Sequence, residues 1–362
     1  MKINRRKTKI IKIGNLLIGG NNPVAIQSMA KIPTSDVRGT LREIRELERS
    51  GCEIVRLAVK DNRDIAALKK IRKGVKLPLV ADIHFDWRLA LGAIENGVDK
   101  IRLNPGNIYK QNQIREIARS AKLNGIPIRV GVNSGSIRGH KSQVTSHKSG
   151  GIAGSMVKSA LDYIRILERF GFYEIVVSLK GSNIFDTIEA YRKIAKLCDY
   201  PLHLGTTATG APYSGVVKSS IALGALLLEG IGDTLRVSLT DNPAQEVRVA
   251  RVILEALCLR SFSPQIISCP TCGRCEVDLV KIVRDLESKL STMDFEPLTK
   301  PLTLAVMGCV VNGPQEAKVA DIGVAFGKNQ GLLFRNSRPL RKVSYAGCVS
   351  ALLDEVSKLR GN

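Results

Sequence analysis

The sequence has no long hydrophobic run and no signal-peptide pattern. Its longest apolar candidate, Ile221 to Leu228, contains Gly224 and falls well short of the roughly 20 residues of a membrane-spanning helix. Because neither export nor membrane insertion is indicated, we expect a soluble, cytoplasmic protein in a reducing compartment, with no membrane association.

Acidic residues are scarce relative to basic ones. The chain has 33 Asp and Glu against 55 Lys and Arg, which gives a formal net charge of +22 at pH 7. A charge of this size makes nucleic-acid binding an alternative class. However, the basic residues are spread over many helices, and no zinc-finger, homeodomain or RNA-recognition motif occurs. We therefore favour a diffuse solvated charge over a nucleic-acid site, with Arg5-Arg-Lys7 as the patch of interest.

Eight short β-rich runs, most of them followed by an amphipathic helical pattern, precede residue 240. Recurrent strand-then-helix units predict parallel pairing, and eight of them predict an α/β fold with an N-terminal (β/α)8 TIM-type barrel. The hairpin-like segment Lys9–Gly20 comes before them, and we expect it to cover the bottom of the barrel. The eight runs are Val24–Met29, Glu53–Val59, Pro78–His84, Lys100–Asn104, Pro127–Asn133, Glu174–Lys180, Pro201–Thr207 and Asp233–Leu239.

A second, smaller unit follows a linker near Arg260–Pro264. Its pattern predicts an α+β layer of strands and helices. We therefore divide the chain into a substrate-binding barrel domain over residues 1–262 and a C-terminal domain over residues 263–362. The predicted elements are Gln265–Ser268, Val277–Leu290, Leu302–Met307, Ala320–Ala325, Gly331–Phe334 and Gly347–Leu359.

Polar residues occupy alternate positions near the ends of the predicted barrel strands. Residues two apart in a strand share a face, and a barrel interior is normally packed with branched apolar residues. Packing therefore does not explain these positions, and we interpret them as a substrate site at the C-terminal end of the barrel. The candidates are Arg56, Asp82, His84, Arg102, Asn104, Arg129, Asn133, Lys180, Arg236 and Ser238.

Five of these candidates are cations: Arg56, Arg102, Arg129, Lys180 and Arg236. Five cations in one cavity repel one another unless an anion neutralises them. Pairing with a nearby carboxylate or an outward orientation is the alternative for any one of them. Together they predict a phosphorylated substrate, most simply a diphosphate.

A cluster of cysteines marks the C-terminal unit. Cys269, Cys272 and Cys275 have CxxCxxC spacing, and Cys309 is followed seven residues later by Glu316. A run of thiolates plus a remote one is the ligand arrangement of an iron–sulfur cluster. The other four cysteines lie in apolar patterns, and we interpret them as core residues: Cys52, Cys198, Cys258 and Cys348.

Three alternatives compete with a cluster. Structural zinc usually needs two CxxC pairs or added histidines, and no histidine follows His203. A disulfide requires an oxidising compartment. Simple packing is a weak explanation for three cysteines within seven residues. We therefore predict an iron–sulfur domain, while the choice of the fourth ligand between Cys275 and Glu316 stays open from spacing alone.

Several motifs together resemble the 4-hydroxy-3-methylbut-2-enyl diphosphate synthase family. The resemblance runs nearly end to end, from Arg5 to the final helix, and is most like the bacterial two-domain form. The motifs are Ala81-Asp-Ile-His-Phe-Asp86, Arg102-Leu-Asn-Pro-Gly-Asn107, Arg129-Val-Gly-Val-Asn133, His203-Leu-Gly205, Gly230-Ile-Gly-Asp-Thr-Leu-Arg-Val-Ser238, Ser268-Cys-Pro-Thr-Cys272 and Gly308-Cys-Val-Val-Asn-Gly-Pro314.

The resemblance implies a reductive step of the non-mevalonate isoprenoid pathway. The implied substrate is 2-C-methyl-D-erythritol 2,4-cyclodiphosphate, with ferredoxin or flavodoxin as electron donor and a homodimer as the assembly. The resemblance also implies a [4Fe–4S] cluster held by Cys269, Cys272, Cys309 and Glu316, with Glu316 counted among the catalytic residues.

This sequence departs from the family pattern at several positions. Ala208 stands where the family has a glutamate thought to help protonate the departing oxygen, and His84 is our candidate for that role. The alternative is a divergent cluster-binding member with weak or lost turnover. The other departures are Lys31, Ile32, Tyr213, Cys275 and Gln315.

Overall fold

The structure, a computed structural model, describes residues 3–137, 151–207, 210–291, 293, 295, 302–311, 315, 317–328 and 330–360. Ala208 and Glu316 lie outside the described residues. The chain folds into two compact units, Met1–Leu259 and Arg260–Asn362. The substrate-binding and cluster-binding roles of the two sequence-defined domains stay predictions.

The first unit is a parallel eight-stranded barrel surrounded by helices. A short hairpin, β1 (Ile11–Ile13) and β2 (Leu16–Ile18), comes before it. The barrel strands are β3 (Ala25–Met29), β4 (Ile54–Val59), β5 (Leu79–Ile83), β6 (Lys100–Leu103), β7 (Ile128–Asn133), β8 (Ile175–Lys180), β9 (His203–Gly205) and β10 (Thr234–Arg236). The helices are α1 (Val37–Arg49), α2 (Asn62–Lys73), α3 (Arg88–Glu95), α4 (Gln111–Asn124), α5 (Gly151–Arg169), α6 (Ile184–Leu197), α7 (Pro212–Leu228) and α8 (Pro243–Ala256).

The strands pair in the order β8-β7-β6-β5-β4-β3-β10-β9. A parallel bridge between Val177 and Leu202 joins the two ends and nearly closes the barrel. The predicted barrel fold is therefore confirmed. The last two strands are shorter than predicted, so Thr207 and Ser238 lie in the loops that follow β9 and β10.

Side-chain caps start several of the barrel helices. Asp61 accepts hydrogen bonds from the backbone N–H groups of Arg63 and Asp64 at the start of α2, and Asn183 does the same at the start of α6. These carboxylate and amide oxygens satisfy N–H groups that have no partner within the helix. The caps thus set where each helix leaves the preceding strand and fix the loops above the barrel.

The hairpin packs against the barrel interior, as the sequence predicts. Ile11, Ile13 and Ile18 are fully buried and form one cluster with the inward-facing residues Ala25, Ile54, Val80 and Val176. These inward residues lie towards the N-terminal ends of their strands. The hairpin therefore fills the bottom of the barrel with hydrocarbon, and the polar positions lie towards the other end.

The second unit is a mixed sheet with two long helices. Its strands, β11 (Gln265–Ser268), β12 (Thr303–Met307), β13 (Ile322–Phe326), β14 (Gln330–Arg335) and β15 (Arg338–Ser344), pair in sequence order. Strands β11 to β13 are parallel, and the last two are antiparallel. Helices α9 (Leu279–Ser291) and α10 (Cys348–Arg360) contribute to one apolar core with these strands.

The isolated cysteines differ in exposure. Cys52 and Cys348 are buried, as predicted, and burial raises the pKa of Cys52 to about 12. The prediction of a core position is wrong for Cys258, which is exposed, and Cys198 is only half-buried. Cys258 lies beyond the end of α8, with a φ of 52°. No helix in the described part of the chain is long and apolar enough to cross a membrane.

Candidate active site

A polar pocket lies at the C-terminal ends of the barrel strands. Its volume is about 90 Å³. Seven strands of the barrel or the loops after them contribute to it, which explains why residues distant in sequence meet there. The lining residues are Arg56, Asp82, Arg102, Arg129, Asn133, Ser178, Lys180, Thr206, Thr207, Arg236 and Ser238.

All five predicted cations line this pocket. The parallel register places Asp82 beside Arg102, and Arg102 beside Arg129, on three consecutive strands. Arg129 is 1% exposed and Lys180 is 7% exposed. Removing so many charges from water is costly unless they are compensated. The pocket is therefore built to receive negative charge.

Two carboxylates balance part of this charge. Asp82 lies 3.1 Å from the nearest nitrogen of Arg102 and 3.6 Å from that of Arg56. Glu246, from the first turn of α8, lies 3.2 Å from Arg236. Burial favours the protonated form of Asp82, but Arg56 and Arg102 outweigh it and lower its pKa to about 2. Asp82 is consequently a fixed negative charge at neutral pH.

Arg129 and Lys180 lack a carboxylate partner of this kind among the described residues. Neither forms an ion pair with a carboxylate within the described residues. The Nε and Nη1 atoms of Arg129 are buried without a hydrogen-bond partner. Burial lowers the pKa of both side chains well below the usual values, and neighbouring arginines lower it further. Unpartnered buried donors of this kind are the strongest indication that the pocket binds an anion.

Two glycines make room for the cations. A Cβ on Gly131 would lie 2.5 Å from Nε of Arg102, and a Cβ on Gly205 would lie 2.5 Å from Nζ of Lys180. Side chains at either position would displace a charged group from the pocket. Both glycines occur in the alternating strand-end pattern, so the sequence contained the signal for them.

Other contributors to the site are absent from the sequence prediction. The Met29 sulfur lies 2.8 Å from Nη2 of Arg56 and 3.7 Å from Nη1 of Arg236, between the two guanidinium groups. Glu246 also pairs with Lys31 at 3.2 Å. Lys31, which departs from the family pattern, therefore shares a counterion with Arg236. A carboxylate at the start of the helix after a polar strand end is the signal that could have identified Glu246.

Two predicted residues, His84 and Asn104, lie next to the pocket but are not among the residues that line it. Each directly follows the last residue of its strand, where the alternation of inward and outward positions ends. The Asn104 amide instead donates to Ser136 Oγ at 3.0 Å and accepts from the Gly106 N–H at 3.1 Å. The substrate-binding roles of Asn104 and His84 stay predictions.

The cysteines of the C-terminal unit lie at the ends of neighbouring strands. Ser268 pairs with Val306 in the parallel register of β11 and β12, so the chain segments that carry Cys269 and Cys309 leave the sheet side by side. The Gly308 N–H lies 3.5 Å from Cys269 Sγ, and Cys275 Sγ packs against Gly308. Among the described residues, no three cysteine, histidine or carboxylate side chains are close enough to hold a metal ion.

The donor set nevertheless fits a cluster in its chemistry. Cys269, Cys275 and Cys309 are half-buried, Cys272 is exposed, and none of the four forms a disulfide. Soft thiolates are the ligands that iron–sulfur clusters prefer. The expected carboxylate ligand, Glu316, is outside the described residues, so the structure does not bear on it.

Family models match almost the entire chain. The GcpE TIM-barrel domain matches residues 8–251, and the GcpE protein C-terminal domain matches residues 265–358. Fold and pocket together define a barrel protein with a cation-lined pocket and a thiol-bearing C-terminal unit. The chain belongs to the GcpE family.

Curated relatives agree with this assignment. The chain is 49% identical over 354 residues to the 4-hydroxy-3-methylbut-2-en-1-yl diphosphate synthase (flavodoxin) of Fusobacterium nucleatum, covering 98% of this chain and 97% of the relative. The enzyme of the same name from Caldanaerobacter subterraneus is also 49% identical, over 356 residues and 98% of each chain.

Solved structures show a similar fold at low identity. Dihydropteroate synthase from Stenotrophomonas maltophilia has a TM-score of 0.53 and 12% identity, covering 69% of this chain and 98% of that structure. The Yersinia pestis enzyme has a TM-score of 0.51 and 10% identity, with the same coverage. At this identity the likeness concerns the fold alone.

Proposed function

We propose that the chain is an iron–sulfur oxidoreductase that converts 2-C-methyl-D-erythritol 2,4-cyclodiphosphate to (E)-4-hydroxy-3-methylbut-2-enyl diphosphate. The reaction consumes two electrons and two protons. One carbon–oxygen bond to phosphate and one to a hydroxyl group break, a carbon–carbon double bond forms, and water leaves. Membership of the family and the two relatives named for this activity support the proposal.

The observation that carries the proposal is the uncompensated cation pair, Arg129 and Lys180, beside Arg56, Arg102 and Arg236. A cyclodiphosphate brings one negative charge on each phosphate. Ring opening frees one phosphate, so negative charge grows there during the reaction. Fixed cations aimed at developing charge stabilise it most effectively in a site that excludes water.

The proposed cofactor is a [4Fe–4S] cluster held by Cys269, Cys272, Cys309 and Glu316. When bound, it supplies the electrons and a Lewis-acidic iron, which a carboxylate ligand leaves more exchangeable than a thiolate would. The barrel residues hold the diphosphate and keep it oriented. Flavodoxin, named for the relatives, or ferredoxin is the proposed donor, and the proposed assembly is a cytoplasmic homodimer.

The test is an anaerobic turnover assay of the reconstituted protein with the cyclodiphosphate and reduced flavodoxin. We expect the linear diphosphate product and little product from an Arg102→Met variant. The matched control is Lys69→Met, which removes an exposed charge on α2. The proposal is contradicted if a protein with a full cluster neither binds nor converts the cyclodiphosphate.

A further inference from the structure

A buried histidine lies under the pocket and contacts one of its cations. His203, on β9, is fully buried, and its Nε2 atom is 3.3 Å from Nζ of Lys180. Its Nδ1 atom is 2.8 Å from Oγ1 of Thr234 on the neighbouring strand. The Tyr191 hydroxyl donates to the His203 carbonyl at 2.6 Å, which fixes the backbone at this position.

Lys180 is surrounded by positive charge. Arg56 on β4, Arg102 on β6, Arg129 on β7 and Arg236 on β10 all face the same pocket, and Lys100 lies buried on β6. The two carboxylates that face the pocket region, Asp82 and Glu246, are paired with arginines. Within the described part of the chain, the His203 ring nitrogen is the one hydrogen-bond partner found for the Lys180 amine.

The pair of contacts on His203 has two complementary hydrogen-bond arrangements. In the first, a neutral Lys180 amine accepts from His203 Nε2–H, and the Thr234 hydroxyl donates to Nδ1. In the second, the Lys180 ammonium donates to an unprotonated Nε2, and Nδ1–H donates to Thr234. The imidazole is neutral in both arrangements, as its burial requires. They differ by one proton, which Lys180 carries in the second.

We propose that His203 is the positioning residue for Lys180, and that its tautomer switches when the pocket binds an anion so that Lys180 gains a proton. The inference rests on the proposed function for the identity of the anion. In the free pocket the surrounding arginines disfavour the ammonium. A bound diphosphate reverses this balance, and the proton comes from solvent.

The surroundings support this direction of change. Burial lowers the pKa of Lys180 well below its usual value, and Arg56 and Arg129 lower it further. Burial also lowers the pKa of His203, with Lys180 as the next cause, which keeps the imidazole neutral. Anion binding raises the pKa of Lys180, so at a pH between its values in the free and bound protein Lys180 takes up one proton for each anion that binds. In that window the Kd rises with pH, by up to about tenfold per unit.

The experiment is calorimetric titration of the reconstituted protein, without reductant, with the cyclodiphosphate in buffers of different ionisation enthalpy. Both phosphates of this ligand are strongly acidic diesters, so the ligand itself takes up no proton near neutral pH. We expect an uptake approaching about one proton per ligand in the wild type. Lys180→Arg should bind with no uptake, since arginine stays charged.

Two variants separate positioning from mere packing. His203→Leu removes the acceptor and should raise the Kd on the order of 10- to 100-fold, with a smaller proton uptake. His203→Gln should restore most of the affinity, because its amide oxygen can accept from the ammonium. A purely structural role would lower stability in His203→Leu and leave the proton uptake unchanged.

The tautomer provides a spectroscopic check in the unmodified protein. The chain has four histidines, so ¹⁵N imidazole signals of His203 can be assigned by their loss in a variant. We expect Nε2–H in the free protein and Nδ1–H in the complex. An unchanged tautomer, or full proton uptake in Lys180→Arg, overturns the inference. If the cyclodiphosphate does not bind, the proposed function fails, and the same measurements with sulfate decide the inference separately.

Discussion

Arg129 carries a buried charge that forms no ion pair with a carboxylate in the described residues, and its Nε and Nη1 atoms have no hydrogen-bond partner. We expect Arg129→Met to have opposite effects on binding and on stability. Binding of the cyclodiphosphate should weaken by about 2–5 kcal/mol, since a desolvated charge contact is lost. The free energy of unfolding without ligand should rise by about 1–4 kcal/mol, because an uncompensated buried charge is removed.

The measurements are ligand titration and denaturant unfolding of both proteins, with Lys69→Met as the surface control. Lys69→Met should change neither quantity by much. An Arg129→Met variant that binds normally and unfolds more easily would show that the guanidinium is structural, and the anion-site interpretation would be wrong.

At the scale of single residues, the sequence predicted the cations because strand alternation places them on one face. It missed Met29, whose contact with Arg56 depends on how β3 meets the interior, and it missed Glu246, although the position of this carboxylate at the start of α8 was an available signal. It also extended two strands by one residue, to His84 and Asn104, which directly follow β5 and β6 in the structure. The alternation of a strand ends where its pairing ends, and sequence gives that point only approximately.

At the scale of elements, the hairpin β1–β2 closes the bottom of the barrel. Ile13 is fully buried in the cluster that joins the hairpin to the barrel strands, whereas Ile10 is 59% exposed. Ile13→Ala should therefore lower the free energy of unfolding by about 2–5 kcal/mol, since it opens a cavity in a packed interior. Ile10→Ala should change it by less than about 0.5 kcal/mol.

Denaturant unfolding of the two variants checks this difference. Equal, small losses at both positions would mean that the hairpin is not part of the barrel core.

The barrel strands were predictable because they are short apolar runs between helical patterns. Strand β15 was not, since its residues from Arg338 to Lys342 are all exposed, three of the five are charged, and they show no alternation of buried and exposed positions.

The ends of β11 and β12 bring the cysteine segments together. This arrangement leads to a prediction for Cys275. Its thiol lies 3.2 Å from the Val277 carbonyl and packs against Gly308. We expect Cys275→Ser to keep one [4Fe–4S] cluster per chain, because the resemblance makes Glu316 the fourth ligand. Serine at Cys269, Cys272 or Cys309 should abolish the cluster.

Iron and sulfide content and the visible absorption of each reconstituted variant measure this outcome. Four thiolates are the commoner ligand set for such a cluster. If Cys275→Ser loses the cluster while Glu316→Gln retains it, the assignment of Glu316 is wrong and Cys275 is the ligand.

At the scale of the whole molecule, the net charge and the buried cationic groups both lower the stability of the folded protein as pH decreases. The chain carries a formal +22 at pH 7, and further protonation increases its self-repulsion. Burial lowers the pKa of Lys100 and His203 in the folded protein, so the unfolded chain binds more protons than the folded one. Stability therefore falls as pH decreases from the ordinary pKa of each group towards its lowered pKa in the folded protein.

Asp82 also contributes to the loss of stability in acid, over a pH range that its pKa defines. Its pKa is about 2 in the folded protein against an ordinary value of 3.8. A lowered carboxylate pKa contributes stability that is fully present above the unfolded value and is lost as pH falls through the folded value. We expect this loss to be on the order of 2 kcal/mol between about pH 4 and pH 2.

The measurement is the thermal unfolding midpoint of wild type and Asp82→Asn across this range of pH. Asp82→Asn should be less stable at neutral pH, because Arg56 and Arg102 lose their shared counterion, and its midpoint should fall less steeply below pH 4. Asp162→Asn, which removes an exposed carboxylate on α5, is the matched control and should follow the wild-type curve. Parallel curves for wild type and Asp82→Asn would mean that Asp82 does not hold the arginines together, since a paired carboxylate must lose that stabilisation when it is protonated.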